Sequence, residues 1–334
     1  MKIAIVNDML FAVEALRRVL TKSADIEVIW VANNGAQAVE QCQSNKPDLI
    51  LMDLIMPVMD GVEATKQIMQ QTPCPILVVT SSIDHNADKL FRAMGAGALD
   101  AVNTPVMESE NTNDIQNIIL EKIKNIALLM QPINTVSFSK KPKQNIDNKS
   151  INLVVIGASS GGPQALENVL GKLPRSFPVP IVIVQHVDQA FAPELVSWLD
   201  SITELNVKLA SENEKLKKGN VYIAARSDHL ILNENLLLNY IEGPDEVAFR
   251  PSVDVFFDSV TQNWPGKTIG VLLTGMGADG AKGLLQLRKR GDFTITQDKQ
   301  SSAVYGMPKA AAKLDAAEEI LALDDIATRI MQLI

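Results

Sequence analysis

Short apolar runs alternate with segments of helical periodicity along most of the chain. In the first block, five runs have the length of strands and lie at residues 2–6, 26–31, 49–53, 76–80 and 98–102. Between them, apolar residues recur at helical spacing, as Val13, Leu16 and Leu20 do. Parallel strands need long crossovers, which are usually helices. The first block is therefore predicted to form a (βα)5 parallel sheet.

A second block repeats this alternation after a polar interruption. Residues 131–150 are rich in lysine, serine and asparagine and contain Pro142, so they read as a linker. Strands are predicted beyond it at 152–156, 181–185, 220–224 and 268–273, and helices at about 163–171, 191–200, 252–262 and 279–290. This order predicts a doubly wound, Rossmann-like parallel sheet. We therefore expect a first domain, a linker and a second domain at residues 1–125, 126–150 and 151–334.

Composition narrows the class of protein further. With 334 residues, of which 46% are hydrophobic and 21% charged, the chain is long enough for two buried cores. A net charge of -8 argues against a general affinity for nucleic acid or anionic membranes. Cys42 and Cys74 form no C-x-x-C pair, and Asp8 follows the first strand too early for a signal peptide. We expect a cytoplasmic protein with reduced thiols and no direct membrane insertion.

A glycine-rich turn follows the first strand of the second block. The run Gly157-Ala158-Ser159-Ser160-Gly161 matches G-x-S-x-G, and a helix is predicted to begin at Pro163. Small residues allow a sharp turn and let backbone N–H groups approach a developing oxyanion. A phosphate-binding turn is the alternative, but the spacing is not G-x-G-x-x-G and His186 follows the next strand where an acidic residue would be expected. The turn therefore favours Ser159 as a nucleophile.

Two further residues complete a hydrolytic triad with this serine. His186 closes the strand at 181–185, so it should reach the same sheet edge as Ser159. His229 opens a short strand and is interpreted as a structural imidazole half-covered by its neighbours. Asp279 follows the strand at 268–273 in a Gly-Ala-Asp-Gly turn, where an aspartate often only caps a helix. Taken together, serine, histidine and aspartate predict covalent hydrolysis, in an order that differs from the α/β-hydrolases.

Acidic residues end strands in the first block. Asp8 follows the first strand and Asp53 ends the third, so with Asn7 they offer oxygen ligands to Mg²⁺. A phosphoryl group on Asp53 would lie near the hydroxyl of Thr80, which ends the fourth strand. Asp8 and Asp53 could instead only cap the helices that follow. The extended run at 52–61, Met-Asp-Leu-Ile-Met-Pro-Val-Met-Asp-Gly, is longer than a cap requires.

The first block resembles the receiver domain of bacterial two-component response regulators, which has a flavodoxin-like fold. The resemblance implies phosphorylation of Asp53 by a chemotaxis-type histidine kinase, with Thr80 sensing the phosphate. It also implies Mg²⁺ as the cofactor of phosphorylation, with these ligands: Asp8, Asp53 and the backbone carbonyl of Ile55. Asn7 stands where the family usually has a second acidic residue, and Thr104 stands where it usually has a lysine.

The second block resembles the catalytic domain of the CheB family of chemotaxis methylesterases. The resemblance rests on the serine turn, the Asp279 loop and two runs, Arg250-Pro251-Ser252-Val253-Asp254 and Tyr305-Gly306-Met307-Pro308. It implies hydrolysis of glutamyl methyl esters, and deamidation of glutamines, on cytoplasmic helices of methylated chemoreceptors, without a cofactor. It implies that Ser159 is the nucleophile, that His186 is the general base and that Asp279 orients His186. The implied oxyanion donors are the backbone N–H groups of Ser160 and Met276.

Some features of the chain leave alternatives open. The runs at 5–9 and 101–105 look more like the Wsp-type surface-sensing branch of the family, and the run at 224–229 lacks the usual proline and glycine. The second block could instead be a nucleotide-binding output or a catalytically silent module that docks on receptors. No helix-turn-helix pattern or basic recognition helix follows the linker, which disfavours a DNA-binding output. For the hydrolase, tethering predicts that the unphosphorylated receiver shields the cleft around Ser159.

Overall fold

The computed structural model describes residues 1–80, 83–105, 112–129, 151–187, 189–224, 226, 228–243 and 250–334. The first domain follows the order β1 (Lys2–Val6), α1 (Leu10–Leu20), β2 (Glu27–Ala32), α2 (Gly35–Ser44), β3 (Leu49–Met52), α3 (Gly61–Gln71), β4 (Ile76–Thr80), α4 (Ile83–Gly95), β5 (Asp100–Asn103) and α5 (Thr112–Leu129). Its strands pair in parallel in the order β2-β1-β3-β4-β5. This confirms the predicted (βα)5 fold. Helix α5 extends beyond residue 125, and residues 130–150 of the predicted linker lie outside the described ranges.

The second domain has more strands than the first. Its elements are β6 (Ile151–Ala158), α6 (Gly162–Leu170), β7 (Ile181–Gln185), a 3-10 turn (Gln189–Phe191), α7 (Ala192–Ile202), β8 (Asn206–Leu209), β9 (Glu214–Lys215), β10 (Asn220–Ile223), β11 (His229–Leu232), β12 (Leu237–Ile241), α8 (Val253–Asn263), β13 (Lys267–Leu272), α9 (Ala281–Arg290), β14 (Phe293–Gln297), α10 (Met307–Lys313), β15 (Glu319–Leu321) and α11 (Leu323–Leu333). Three of these strands form a separate antiparallel sheet in the order β11-β12-β9.

The main sheet of the second domain is doubly wound. Its strands are parallel and follow the order β15-β14-β13-β6-β7-β10-β8. The chain starts at the central β6, moves to one side through β7 and β10, and then returns to β13 on the other side. Right-handed crossovers send the helices after β6 and β13 to opposite faces, which opens a crevice between these strands at their carboxyl ends. The predicted Rossmann-like sheet is confirmed.

The sequence pattern predicts only part of this sheet. It finds β6, β7, β10 and β13 but misses β8, β14 and β15. In β14, the polar side chains of Thr294, Thr296 and Gln297 are fully buried. A search for apolar runs does not detect this strand, because polar residues interrupt the run. Such residues are buried only where the fold supplies hydrogen-bond partners, which the sequence does not show.

The two domains pack against each other through α4. This helix contacts α6, α7 and the 3-10 turn of the second domain. The rings of Phe91 and Trp198 stack across the contact, with centroids 5.8 Å apart and planes inclined by 20°. A Cβ atom on Gly95 would lie 3.2 Å from Oε2 of Glu167, so the end of α4 comes close to α6. Elsewhere, Val304 belongs to an apolar cluster with residues of α1 and α5 of the first domain.

Two predictions from composition concern the cysteines and the membrane. Cys42 and Cys74 are free and buried, as expected for structural thiols. Burial raises the pKa of Cys42 and raises that of Cys74 to about 12, which keeps both thiols protonated. Within the described ranges, no helix combines the length and the apolar character that crossing a bilayer requires.

Candidate active site

Ser159 lies in the turn that joins β6 to α6. Its N–H donates to the carbonyl of Thr274 at 3.0 Å, and its own carbonyl accepts from the N–H of Gly162 at 2.7 Å. Gly161 has φ of 75°, a left-handed conformation that favours glycine. The turn is therefore held against the end of β13, and the predicted nucleophile lies at the crevice of the doubly wound sheet.

His186 follows β7, the neighbour of β6. Ala158 and Gln185 are opposite each other in this parallel pair, so Ser159 and His186 each lie one residue beyond it. The N–H of His186 donates to the carbonyl of Ala158 at 3.0 Å, which extends the pairing past the last strand residues. The predicted nucleophile and base are thus on adjacent strand ends.

Asp279 contacts the imidazole of His186 directly. Nε2 of His186 lies 2.8 Å from Oδ2 of Asp279, and both side chains are largely buried. The first turn of α8 supplies three more hydrogen bonds to the carboxylate. They come from the hydroxyl of Ser252 to Oδ1 at 2.7 Å, the N–H of Val253 to Oδ2 at 2.7 Å and the N–H of Asp254 to Oδ1 at 3.1 Å. A helix N-terminus thus stabilises the negative charge that orients His186.

The pKa of Asp279 reflects two opposing effects. Burial raises the pKa, whereas hydrogen bonds from His186, Ser252 and Val253 and the charge of His186 lower it, and the net result lies below the ordinary value. Asp279 therefore stays ionised at neutral pH. An ionised carboxylate fixes the orientation of the imidazole and stabilises the imidazolium that forms during proton transfer.

Ser252 and His229 are linked to this carboxylate, and the sequence pattern does not identify either as a site residue. The N–H of Ser252 donates to Nδ1 of His229 at 3.2 Å, and the Ser252 hydroxyl also accepts from the N–H of Val255 at 3.3 Å as the cap of α8. The prediction that His229 is half-covered is wrong, because its side chain is fully buried. Burial against α8 makes it a structural support of the segment that holds Asp279. The sequence signal that pointed to this segment was the run Arg250–Asp254, which contains Ser252 and on which the family resemblance partly rests.

The loop that carries Met276 is fixed against the turn before α10. Gly275 donates to the carbonyl of Val304 at 3.1 Å and accepts from the N–H groups of Gly306 and Met307 at 3.1 and 2.9 Å. Across the crevice, the hydroxyl of Thr274 lies 3.0 Å from the carbonyl of Ser160. In the described part of the chain, the backbone N–H groups of Ser160 and Met276 donate to no protein acceptor. These two donors have the character that an oxyanion site requires.

A second site lies at the carboxyl ends of β1 and β3 in the first domain. Asp53 accepts hydrogen bonds from the N–H of Leu54 at 2.7 Å and from Nδ2 of Asn7 at 3.0 Å. Burial, with a smaller contribution from the charge of Asp8, raises the pKa of Asp53 to about 6, against the opposing bonds from Leu54, Ile55 and Thr80. Two neighbouring carboxylates, one of them buried, are a donor set that suits a hard divalent cation.

The metal site predicted here combines acidic side chains with a backbone carbonyl oxygen. Among the described residues, no group of three or more His, Cys, Asp and Glu side chains is arranged to hold a metal. The predicted set contains two carboxylates, from Asp8 and Asp53, and takes its third oxygen from the backbone carbonyl of Ile55. Mg²⁺ usually retains several waters and needs only one or two carboxylates from the protein, so this set fits the ion. Thr104 lies at the same edge, where its N–H donates to the carbonyl of Thr80 at 3.0 Å.

Comparisons with known proteins match both domains. Residues 154–330 match the family model of the CheB methylesterase, and residues 3–116 match that of the response regulator receiver domain. A protein-glutamate methylesterase/protein-glutamine glutaminase of Pseudomonas syringae pv. syringae is 52% identical over 99% of both chains. One from Bordetella avium is 50% identical over 99% of this chain and 96% of its own.

A solved structure supports the same assignment for the second domain. The CheB methylesterase catalytic domain of Thermotoga maritima is 38% identical, covers 55% of this chain and 100% of its own, and aligns with a TM-score of 0.53. Together with the sheet order and the serine turn, these matches leave the nucleotide-binding output disfavoured. The chain belongs to the CheB family of protein-glutamate methylesterase/protein-glutamine glutaminases that carry an N-terminal receiver domain.

Proposed function

We propose that this enzyme hydrolyses glutamyl methyl esters, and deamidates glutamines, on the cytoplasmic helices of methylated chemoreceptors, with Ser159, His186 and Asp279 as its triad. The observation that carries the proposal is the contact of 2.8 Å between His186, which follows β7, and Asp279, which lies in the loop between β13 and α9. A cytoplasmic location and a chemotaxis-type histidine kinase as phosphate donor belong to the same proposal. The proposal includes neither direct membrane insertion nor nucleic acid binding.

The chemistry starts from a weak nucleophile, because a serine hydroxyl is protonated at neutral pH. His186 takes the proton of Ser159 as the oxygen attacks the ester carbonyl. Because Nε2 faces Asp279, Nδ1 is the nitrogen assigned to this proton. The negative charge that forms on the substrate oxygen is stabilised by the N–H groups of Ser160 and Met276.

Collapse of this intermediate completes the reaction in two stages. His186 returns the proton to the leaving methanol, and a glutamyl ester of Ser159 remains. A water molecule, deprotonated by His186, then hydrolyses that ester and restores the serine. An amide needs more assistance to its leaving group than an ester, so we expect demethylation to be faster than deamidation. These steps use side-chain and backbone groups and require no cofactor.

In the receiver domain, we propose Asp53 as the phosphorylated residue and Thr80 as the hydroxyl that senses the phosphate. Asp8, Asp53 and the backbone carbonyl of Ile55 would hold Mg²⁺, which offsets the charge of the transferred phosphoryl group. The carboxylate of Asp53 attacks the phosphorus atom of the kinase's phosphohistidine, the bond from phosphorus to the imidazole nitrogen breaks, and the imidazole leaves. Thr80 donates a hydrogen bond to an oxygen of the transferred phosphoryl group.

The experiment that tests the proposed function measures methanol release from methylated receptor. The rate should rise several-fold when an acyl phosphate and Mg²⁺ are added, because phosphorylation relieves the shielding of the cleft. Asp53→Asn should keep the unstimulated rate and lose the response, since an amide cannot form the acyl phosphate. Equal stimulation of Asp53→Asn would reject Asp53 as the acceptor. No methanol from the wild-type chain would reject the proposed function.

We propose that the contact between α4 and α6 restrains the unphosphorylated enzyme. Helix α6 begins two residues after Ser160, and its Glu167 lies against Gly95 of α4. The space beside Gly95 admits a Cβ, because the neighbouring atom is the end of a flexible side chain. A larger, negatively charged side chain there would meet the carboxylate of Glu167, whose pKa burial already raises.

Gly95→Asp should therefore raise the methanol release of the unphosphorylated enzyme. Repulsion of about 1.4 kcal/mol across the contact would increase the separated population about tenfold. Gly95→Ala is the matched control and should behave as wild type, and adding Glu167→Lys to Gly95→Asp should restore the low rate. An unchanged rate in Gly95→Asp, with normal labelling of Asp53, would contradict the restraint.

A further inference from the structure

The side chain of Gln185 bridges the main chains of the proposed nucleophile and base. It is the last residue of β7, and its side chain is 2% exposed. Nε2 of Gln185 donates to the carbonyl of Ser159 at 2.9 Å and to the carbonyl of His186 at 3.0 Å. Two carbonyl oxygens can share this atom only if it is the amide nitrogen, so the orientation of the amide is fixed by its acceptors.

The bridge lies past the end of the strand pairing, and it is additional to the bond that the Ser159 carbonyl accepts from the N–H of Gly162. The regular pairing of β6 and β7 ends at Ala158 and Gln185, so Ser159 and His186 lie beyond the ladder. Both carbonyls are acceptors and cannot bond to each other. A side-chain amide with two N–H groups joins them and ties the two main chains together one residue past the sheet.

The surroundings of Gln185 indicate that this bridge is not there for stability alone. A Cβ atom on Gly162 would lie 2.0 Å from Oε1 and 2.8 Å from Cδ of Gln185, so a glycine at the start of α6 leaves the space that the amide fills. In the described part of the chain, Oε1 of Gln185 has no hydrogen-bond partner. A buried acceptor without a partner is destabilising, and an apolar residue of the same shape would avoid that cost.

We propose that Gln185 is a positioning residue that sets the spacing between Ser159 and His186. The inference rests on the proposed function, because it assumes that these two residues exchange a proton. Proton transfer requires hydrogen-bond geometry, and displacement of one partner by about 1 Å can cost about 100-fold in rate. Gln185 is buried and bonds to the main chains of the two residues, so its effect should fall on the chemical step.

Gln185→Met tests this role in the full-length, phosphorylated enzyme, because methionine has a similar shape and no N–H donors. We expect kcat for methanol release per folded molecule to fall about 100-fold with KM nearly unchanged, while the loss of two buried hydrogen bonds lowers the melting temperature. Labelling of Ser159 by a fluorophosphonate should slow in parallel, since that reaction also needs His186. Gln286→Met, the same substitution at an exposed position of α9, is the matched control and should match wild type.

The outcomes separate this inference from the proposed function. A Gln185→Met enzyme with wild-type kcat would overturn the inference, and so would a loss of activity that follows only the fraction of unfolded protein. Gln185→Leu provides a second variant in case methionine prevents folding, because a leucine side chain also lacks both donors. It should show the same fall in kcat per folded molecule. Failure of the wild-type chain to release methanol would instead remove the proposed function.

Discussion

Replacement of Ser159 by alanine should abolish methanol release from methylated receptor while phosphoryl labelling of Asp53 continues. The variant lacks the oxygen that attacks the ester, and the remaining groups can only polarise the carbonyl. In hydrolases with this type of triad, loss of the nucleophile lowers kcat by roughly a factor of a million. The measurement is methanol produced per molecule of enzyme, with radiolabelled acyl phosphate to follow the receiver.

The control for this variant is Ser211→Ala, which removes a hydroxyl from an exposed position of the same domain. It should retain the full rate. The two reactions lie in different domains, so a Ser159→Ala enzyme that also loses phosphoryl labelling would indicate a general folding defect. Residual methanol release above about one thousandth of the wild-type rate would remove Ser159 from its role.

Asp279→Asn should lower kcat by about 10⁴-fold and leave KM nearly unchanged. Four donors converge on the carboxylate, from His186, Ser252, Val253 and Asp254. An asparagine side chain has one acceptor oxygen, so its NH₂ group would face two of these donors. The His186 tautomer and orientation that proton transfer needs would be lost, as in other triads that carry this substitution.

The Asp279→Asn measurement needs a stability control, because mismatched buried donors cost about 1–3 kcal/mol each. Asp258→Asn changes the same functional group on α8 at a carboxyl whose pKa burial raises, and it should keep wild-type activity. Folded Asp279→Asn enzyme with more than a tenth of the wild-type kcat would contradict the orienting role. Combining Asp279→Asn with Ser159→Ala should cost little more than Ser159→Ala alone, since the triad acts as a unit.

The sequence could predict the site residues that lie at the ends of strands. Ser159, His186 and Asp53 follow apolar runs, and the carboxyl edge of a parallel sheet collects such residues whatever their separation along the chain. Asp279 was ambiguous by itself, because aspartate in a glycine-rich turn often caps a helix. The structure adds that its partner is the start of α8, 25 to 27 residues earlier in the chain.

Other features depend on tertiary contacts that leave no periodic pattern. Strand β14 is filled by Thr294, Thr296 and Gln297, whose polar groups are buried because neighbouring segments bond them. For example, the Thr296 hydroxyl lies 3.1 Å from the carbonyl of Leu272. Gln185 was visible in the sequence only as the residue before His186. Its bridging role arises from the pairing of β6 with β7, which brings two carbonyl groups to one amide.

Helix α6 links the serine turn of the catalytic domain to the contact with helix α4 of the receiver. Its first residue follows the serine turn, and its middle faces the end of α4. Motion of the receiver can therefore alter the shape of the turn itself, in addition to opening a path for the receptor helix. Uncovering alone would improve capture of dilute receptor, whereas a reshaped turn would also speed turnover at saturating receptor. Activation by phosphate would then be a change of catalytic competence as well as of access.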